Sequence, residues 1–258
     1  MLNGSQANAP ESDVVTVLNP DGGSRVVLAC EHASNHIPER FGDLGLTKDL
    51  RSSHIAWDPG ALGVAVHLGR VLSARVVAGN ISRLVYDCNR PPDACDAIPA
   101  RSEIFDIPGN TNLTDADCDA RIRDVYRPFE ERLRATMQAA SGPARLVTLH
   151  SFTPVYCGMR RDVEIGILHD VDRRLADAML HTAVAHTDHV VRRNEPYGPE
   201  DGVTHTLKLH GVAQGLPNVM IEIRNDLIAT EAQQRGMGEM IGAWLTEALS
   251  MVDAGAKS

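Results

Sequence analysis

Aromatic residues, basic residues and long apolar runs are all scarce in this sequence of 258 residues. Phe, Trp and Tyr make up only 4% of it, so Val, Leu, Ile and Ala must build most of the core of a chain that is 43% hydrophobic. Lys and Arg number 25 against 34 acidic residues, and the net charge of -9 argues against binding to nucleic acid. No apolar run reaches the roughly 18 residues of a transmembrane helix, so no membrane partner is expected.

Cysteine is also too sparse and too scattered to suggest a structural framework. The five cysteines include no CxxC pair, which argues against both disulfide bridges and a cysteine-rich zinc site and favours a reducing compartment. The first fifteen residues lack the basic and apolar regions of a signal peptide. A cytoplasmic protein is therefore expected.

Several common catalytic and nucleotide-binding motifs are absent. The sequence contains no GxGxxG, no GxxxxGK[ST] and no GxSxG. These absences remove support for a dinucleotide-binding protein, a P-loop nucleotidase and a hydrolase with a serine nucleophile on a strand-to-helix turn.

Short β-rich runs alternate with helical patterns along the chain. Residues 1–24 are rich in Asn, Ser, Gly and Pro and predict a flexible leader, and residues 25–258 predict a single α/β domain. Strands are predicted at 25–30, 75–79, 145–149, 163–168, 189–192 and 218–224. Helices are predicted at 62–72, from an N-cap at 114 to about 137, at 172–185 and at 230–251. This alternation favours an α/β three-layer sandwich with a mostly parallel or mixed central sheet.

Polar residues stand where three of the predicted strands end. Glu31 and His32 follow the first strand, His150 follows the third, and the last strand carries Glu222 and Arg224. Ligand sites in such sheets lie beyond the carboxyl ends of the strands. Two imidazoles and a carboxylate could meet there on one zinc ion, since catalytic zinc uses three protein ligands. Alternatively, each histidine only completes a strand end.

Longer segments resemble the N-formylglutamate amidohydrolase family. The resemblance runs from about residue 25 to residue 228. It rests on the segments EHASNHIP, SRLVYDCNRPP, TLHSFTP, NEPYG…THTLKLHG and GLPNVMIEIRNDLI. A more distant similarity is to the zinc carboxypeptidases, and it implies a fold of the phosphorylase/hydrolase-like type. It also implies that His150 binds the metal, that Glu222 is catalytic, and that the Asp87–Arg90 segment (DCNR) binds a substrate carboxylate.

The first metal-binding motif departs from the carboxypeptidase pattern. That pattern is HxxE, whereas Asn35 stands at the carboxylate position after His32. Asparagine is a poor zinc ligand, so another carboxylate must complete the site. Asp58, in the segment WDPGALG, is the candidate. It could equally be a plain helix N-cap before a proline, and Glu31 and His54 are the other candidates for the third ligand.

The remaining candidates would serve catalysis and substrate binding. Glu222 is the predicted general base, paired with Arg224 on the same face of its strand. Arg83, Asn89 and Arg90 are predicted to bind a substrate carboxylate, with surface ion pairs as the alternative for the arginines. Tyr197 and His210, and less directly His205, could close over the substrate or stabilise an oxyanion; a turn tyrosine and lone helical histidines are the alternatives.

Together these features predict a hydrolase with one zinc ion per chain. It would cleave the amide bond of an N-acyl amino acid, with N-formyl-L-glutamate the first choice of small, carboxylate-bearing substrate. The metal ligands would be His32, His150 and Asp58. Two alternatives stay open: a hydrolase of another amide, such as a peptide or a muropeptide, and a non-catalytic protein that binds a carboxylate ligand on the same fold.

Overall fold

A mixed sheet of seven strands forms the centre of the protein. The computed structural model describes residues 14–255. The strands of this sheet are β1 (Val15–Leu18), β2 (Val26–Cys30), β3 (Arg75–Gly79), β6 (Arg145–Phe152), β9 (Ile165–Leu168), β10 (Val191–Arg193) and β11 (Asn218–Arg224), and two small hairpins supply β4 (Arg101–Ser102), β5 (Phe105–Asp106), β7 (Val155–Tyr156) and β8 (Met159–Arg160). The order across the sheet is β1-β3-β2-β6-β11-β9-β10. The four strands from β3 to β11 are parallel, whereas β1 and β9 pair antiparallel with their neighbours in that group.

Helices cover both faces of this sheet. They are α1 (Lys48–Ser52), α2 (Ala61–Val71), α3 (Asp115–Arg121), α4 (Arg127–Gln138), α5 (Arg174–His186) and α6 (Glu231–Gly255). Helices α2, α5 and α6 contribute to one apolar core, and α4 contributes to the other. The predicted three-layer α/β sandwich with a mixed sheet is therefore confirmed.

Strand periodicity decides which face of the sheet carries the polar residues. In β6, Val147 and Leu149 pack into the core under α2, α5 and α6, while Leu146 packs into the core on the α4 side. Because side chains alternate along a strand, His150 belongs to the α4 side. All eight residues of β6 are buried, as expected for a parallel strand covered on both faces.

Most of the predicted elements are present, with three differences. Val15–Leu18 forms the edge strand β1, so the predicted flexible leader is wrong for these residues, and residues 1–13 lie outside the described part. Strand β6 continues to Phe152, so His150 lies inside it. The long helix after Thr114 is divided by a π-helical turn at Ile122–Tyr126. Thr114 itself is the predicted N-cap, in a capping box with Asp117.

Two expectations drawn from composition can be compared with residues 14–255. All five cysteines are free, as the sequence predicts. In the same range, no helix is long and apolar enough to cross a membrane.

Candidate metal centre

Parallel strands bring the predicted polar residues to one edge of the sheet. Glu31 and His32 directly follow β2, and His150 lies near the end of the neighbouring β6. In the next strand, Glu222 of β11 is the register partner of His150. All four side chains are buried. The carboxyl ends of parallel strands thus meet where sheets of this kind place their ligand sites.

A cavity of about 300 Å³ opens at this edge. Its wall combines acidic, basic and aromatic side chains from the strand ends, from the loop before α2 and from both small hairpins. The lining residues are His32, His54, Ile55, Asp58, Arg83, Asn89, Arg90, Ser102, Glu103, His150, Ser151, Phe152, Thr153, Tyr156, Tyr197, Asp201, Val203 and Glu222.

Three buried side chains at the cavity floor point one donor atom each at a common centre. His150 Nδ1 lies 3.2 Å from His32 Nδ1 and 2.9 Å from Asp58 Oδ2. His32 Nδ1 is 3.3 Å from the same Asp58 oxygen. The geometry is that of a group that could hold a metal ion. Two imidazole nitrogens and one carboxylate oxygen are a ligand set suited to zinc, with a further position left for substrate or water.

Backbone contacts position Asp58 at this centre. Its amide donates to the His32 carbonyl at 2.9 Å, and its Oδ2 accepts from the Ser151 amide at 3.3 Å. Helix α2 is capped by Gly60, which has a φ of 83°. A Cβ at Gly60 would lie 2.4 Å from the Ile228 carbonyl oxygen, so glycine is required there. The alternative that Asp58 is only a helix cap is therefore wrong.

Each of the two imidazoles has a carboxylate behind it. His32 Nε2 lies 2.7 Å from Asp87 Oδ1, and His150 Nε2 lies 3.3 Å from Glu31 Oε2. A carboxylate that holds the Nε2 proton leaves the lone pair on Nδ1, the atom that faces the common centre. His32 is therefore prepared to bind a cation through Nδ1.

The charges around the two histidines favour a cation. Burial and Arg83 act to lower the pKa of His32, but Asp87 and Asp58 outweigh them and raise it. Burial acts in the same downward direction on His150, yet its pKa is raised well above the ordinary value because Glu31 and Asp58 lie beside it. A site that stabilises positive charge on two imidazoles also attracts a metal cation.

Arg83 links two of the carboxylates. Its Nη2 lies 2.6 Å from Asp87 Oδ2, and its Nη1 lies 3.5 Å from Asp58 Oδ1. Burial acts to raise the pKa of both carboxyl groups, but nearby positive charge has the larger effect. Arg83 lowers the pKa of Asp87, and His32 and His150 lower the pKa of Asp58. Both carboxylates are therefore ionised at neutral pH.

Glu222 lies in a different electrostatic environment. Burial raises its pKa to about 7, against the opposing effect of His150. Its Oε2 is buried and has no hydrogen-bond partner among the described residues. A carboxylate with a pKa near neutrality beside a cavity can both accept and release a proton.

Asn89 and Arg90 both line the cavity, and Arg90 has the larger number of side-chain donors without a partner. Asn89 Nδ2 donates to the Val203 carbonyl at 2.6 Å, and its Oδ1 accepts from the Thr206 amide at 3.0 Å. The Asn89 amide group therefore positions the 203–206 segment. Arg90 Nε lies 2.8 Å from Asp96 Oδ2, and its two Nη atoms form no hydrogen bond within the described residues.

An aromatic ring and a hydrogen-bonded histidine–glutamate pair form the outer wall. Tyr197 lines the cavity, and the Arg161 guanidinium lies 4.8 Å from its ring centroid. Burial raises the pKa of Tyr197 to about 12, so its hydroxyl stays protonated. His54 Nε2 pairs with Glu103 at 2.9 Å, and Glu103 also accepts from the Cys157 amide. His54 is therefore part of the wall, away from the three ligand atoms.

Two predicted site residues lie elsewhere. The Arg224 side chain pairs with Asp226 at 2.8 Å and Glu164 at 3.3 Å and does not line the cavity, so the structure does not support its predicted pairing with Glu222. Arg224 is the last residue of β11. Where the chain turns at a strand end, the side chain of the last residue can leave the face that it would share with the residue two positions before it. His210 is buried beside a separate cavity lined by Leu209, and burial lowers its pKa to about 4.

Asp87 and Glu31 have positions that the sequence does not reveal. Asp87 begins the DCNR segment, whose similarity implies a carboxylate-binding role for the segment as a whole. The structure instead places Asp87 behind His32. Glu31 is adjacent to His32 in sequence but contacts the other histidine of the cluster, His150. His205 also lies away from the ligands, with its Nε2 2.8 Å from the Tyr126 hydroxyl.

Comparison with known proteins gives a family match and structural relatives. A family model described as N-formylglutamate amidohydrolase matches residues 24–229. A gene product of Agrobacterium tumefaciens has a similar structure, with a TM-score of 0.90 and 53% identity over 94% of this chain and 97% of its own. An N-formylglutamate amidohydrolase from Ralstonia eutropha JMP134 shares the fold, with a TM-score of 0.68 and 20% identity over 94% of this chain and 99% of its own.

A metallo-carboxypeptidase from Burkholderia cenocepacia matches more distantly. Its TM-score is 0.44, with 11% identity over 92% of this chain and 61% of its own. No curated protein sequence matches this chain significantly.

Proposed function

Because this chain belongs to the N-formylglutamate amidohydrolase family, whose model spans residues 24–229, we propose that it is a zinc-dependent hydrolase of N-formyl-L-glutamate or a closely related N-acyl amino acid. The observation that carries the proposal is the convergence of His32 Nδ1, His150 Nδ1 and Asp58 Oδ2 beside the Glu222 carboxylate. Three ligands next to a proton-transferring carboxylate are the parts that amide hydrolysis by a metal requires.

His32, His150 and Asp58 would hold one zinc ion per chain. When bound, zinc supplies a Lewis acid that polarises the scissile carbonyl group and lowers the pKa of water. Asp87 keeps the Nε2 atom of His32 protonated, so that the Nδ1 atom of this imidazole is available as a ligand. Arg83 balances the negative charge of Asp87 and Asp58 on the side facing the cavity.

Glu222 is the proposed general base and then the general acid. Its carboxylate accepts a proton from the attacking water as the water oxygen bonds to the acyl carbon. When the carbon–nitrogen bond breaks, Glu222 donates that proton to the leaving nitrogen. In the metal-free site burial raises its pKa to about 7, and a cation bound beside it would lower that pKa, so Glu222 is ionised and able to accept the proton at neutral pH. The products would be a carboxylic acid, formate in the case of a formyl group, and a free amino acid.

Arg90 is the proposed anchor for the substrate carboxylate. It has two Nη atoms without hydrogen bonds in the described protein and lies in the cavity wall. A guanidinium group binds a carboxylate through two parallel hydrogen bonds. Arg83 and the protonated Tyr197 hydroxyl lie on the same wall and can contact the acyl group or a second carboxylate.

The two alternatives make different demands on the same cavity. A volume of about 300 Å³ favours a small N-acyl amino acid over a peptide or a muropeptide. A non-catalytic carboxylate-binding protein has no use for three convergent metal ligands next to a buried Glu222. Both observations favour the small-molecule hydrolase. The cytoplasmic location expected from the sequence stays a prediction.

The direct test is hydrolysis of N-formyl-L-glutamate by zinc-loaded protein, followed as release of formate and glutamate. Activity that chelation removes and zinc restores supports the proposal. The matched control is Glu222→Gln, which keeps the shape of the side chain and the metal ligands. Peptide and muropeptide amides are assayed in parallel, and faster cleavage of either would replace the proposed substrate. Binding of N-formyl-L-glutamate without turnover by the zinc-loaded wild type would favour the non-catalytic alternative.

A further inference from the structure

Glu31 is a buried carboxylate for which the proposed reaction has no direct use. Its side chain is fully enclosed, with a residue exposure of 1%. Its carboxylate interacts with His150, His32 and Thr206, but neither of its oxygens has a hydrogen bond of good geometry within the described residues. An ionised carboxylate in such a place costs free energy, so a compensating role is expected.

Glu31 cannot be the third metal ligand in this arrangement. The His150 ring presents Nδ1 to His32 and Asp58, and it presents Nε2 to Glu31 Oε2 at 3.3 Å. Glu31 therefore lies on the side of the ring away from the ligand atoms. Asp58 already fills the place that the carboxylate ligand needs.

The end of β2 thus serves both histidines. His32 is itself one of the three ligands, while the preceding residue, Glu31, lies behind the ligand from β6, His150. The backbone at Glu31 is held close to β3, because a Cβ at Gly79 would lie only 2.3 Å from the Glu31 carbonyl oxygen. The carboxylate is therefore carried by a tightly packed strand end.

The two outer carboxylates differ in how far they depend on their imidazoles. Asp87 also accepts hydrogen bonds from the Arg83 side chain and from the backbone N–H of Asn89, so its position is fixed independently of His32. Glu31 has no cationic partner other than a histidine within the described residues. The basic side-chain atom that lies beside it is His150 Nε2, at 3.3 Å from Glu31 Oε2.

We infer that Glu31 is a positioning residue of the metal centre, whose carboxylate holds the Nε2 proton of His150 and so directs Nδ1 toward the metal. The inference rests on the proposed zinc site. In this assignment His32 is one metal ligand, and the preceding residue, Glu31, positions the other ligand histidine, His150. Loss of such outer carboxylates typically weakens metal binding by about 10- to 100-fold.

Zinc affinity of Glu31→Gln and Glu31→Leu, measured by competition with a chromogenic chelator, tests this assignment. Both variants are expected to bind zinc about 10- to 100-fold more weakly than wild type. Glutamine keeps the shape of the side chain, so zinc affinity can be measured with Glu31→Gln even if Glu31→Leu does not fold. Thr148→Val is the matched control, because Thr148 is buried in β6, its hydroxyl has no hydrogen bond within residues 14–255, and it is not among the three proposed ligands. Its zinc affinity should not change.

Two further readouts separate positioning from a purely structural role. In zinc-loaded wild type, nitrogen-15 NMR should show His150 protonated at Nε2 with a slowly exchanging proton, and Glu31→Leu should lose that slow exchange. The thermal midpoint of metal-free Glu31→Gln measures the contribution of Glu31 to folding separately, so a loss of zinc affinity can be distinguished from a loss of stability.

Wild-type zinc affinity in both Glu31 variants would overturn the assignment and leave the proposed zinc site intact. A lower midpoint for metal-free Glu31→Gln with unchanged zinc affinity would overturn it in favour of a structural role. Failure of wild type to bind zinc at all would instead reject the proposed function, and the assignment with it.

Discussion

Glu222 of β11 and His150 of β6 are register partners in adjacent parallel strands, so the proposed general base lies directly beside a proposed metal ligand. On its other side, Glu222 is paired with Gly166 of β9. A Cβ at Gly166 would clash with the Glu195 carbonyl oxygen, so the strand there is packed against the segment that follows β10. Three hydrogen-bonded strands therefore hold the base in place without help from a flexible segment.

Glu222→Gln should remove activity while zinc stays bound. The amide cannot accept the proton from water, and general acid–base groups contribute about 10²- to 10⁴-fold to rates. We expect kcat to fall within that range, with one zinc per chain retained, measured by steady-state kinetics and elemental analysis of the same sample. A variant that keeps near-full activity would show that another group transfers the proton.

Glu222 also predicts how the stability of the metal-free protein changes with pH. Burial raises its pKa from 4.5 to about 7, so between these values the folded state holds a proton that the unfolded chain has lost. The stabilisation from this proton is present at low pH and is lost as the pH rises through about 7. Glu222→Gln has no such proton to lose. Its stability relative to wild type should therefore increase by about 3 kcal/mol between about pH 4 and pH 8.

Denaturant unfolding of both proteins with chelator present measures this difference. Comparing the variant with wild type at each pH cancels the contributions of Asp58, Asp87 and the histidines to first order. A difference that is constant with pH, or that moves in the opposite direction, would mean that Glu222 is ionised throughout the range.

Arg90→Ala should impair binding of the substrate carboxylate more than the chemical step. Loss of a charged hydrogen-bonding pair costs about 1.5 to 3 kcal/mol, which is roughly a 10- to 150-fold rise in KM for N-formyl-L-glutamate. The same variant should bind the α-carboxamide analogue as wild type does. Arg123→Ala is the control, because Arg123 pairs with Asp124 outside the cavity. Equal losses with acid and amide would exclude a carboxylate contact.

Asp58→Asn should weaken zinc binding more than any change to an outer carboxylate. The amide keeps the volume and can still accept from the Ser151 backbone, but it is a poor zinc ligand. We expect a loss of affinity of more than about 100-fold, measured by chelator competition. Unchanged affinity would show that the carboxylate ligand is another residue.

The sequence points to the members of the proposed metal site more completely than to the residues around them. His32, His150 and Glu222 are recognisable because each stands at the end of a buried strand, and parallel strand ends must meet. Asp58 follows from the missing carboxylate at Asn35. No local pattern shows that Asp87 lies behind His32, since that contact joins residues 55 positions apart and depends on the loop after β3.

The predictions for Arg224, His210 and strand β1 are wrong for related physical reasons. The period of two along a strand puts Glu222 and Arg224 on one face, but β11 ends at Arg224 and its side chain pairs with Glu164 and Asp226. His210 belongs to a π-helical turn that packs into the interior, and a motif match carries no information about that direction. Strand β1 is only four residues long and follows a stretch that composition marks as a leader.

The most direct test of this account is a crystal structure of the protein purified without added metal, with diffraction recorded on both sides of the zinc absorption edge. The account predicts one anomalous peak per chain, within coordination distance of His32 Nδ1, His150 Nδ1 and one Asp58 oxygen. Glu222 should lie near this metal ion without coordinating it. A peak bonded to other residues, or no peak even after soaking with zinc, would contradict the proposed metal centre.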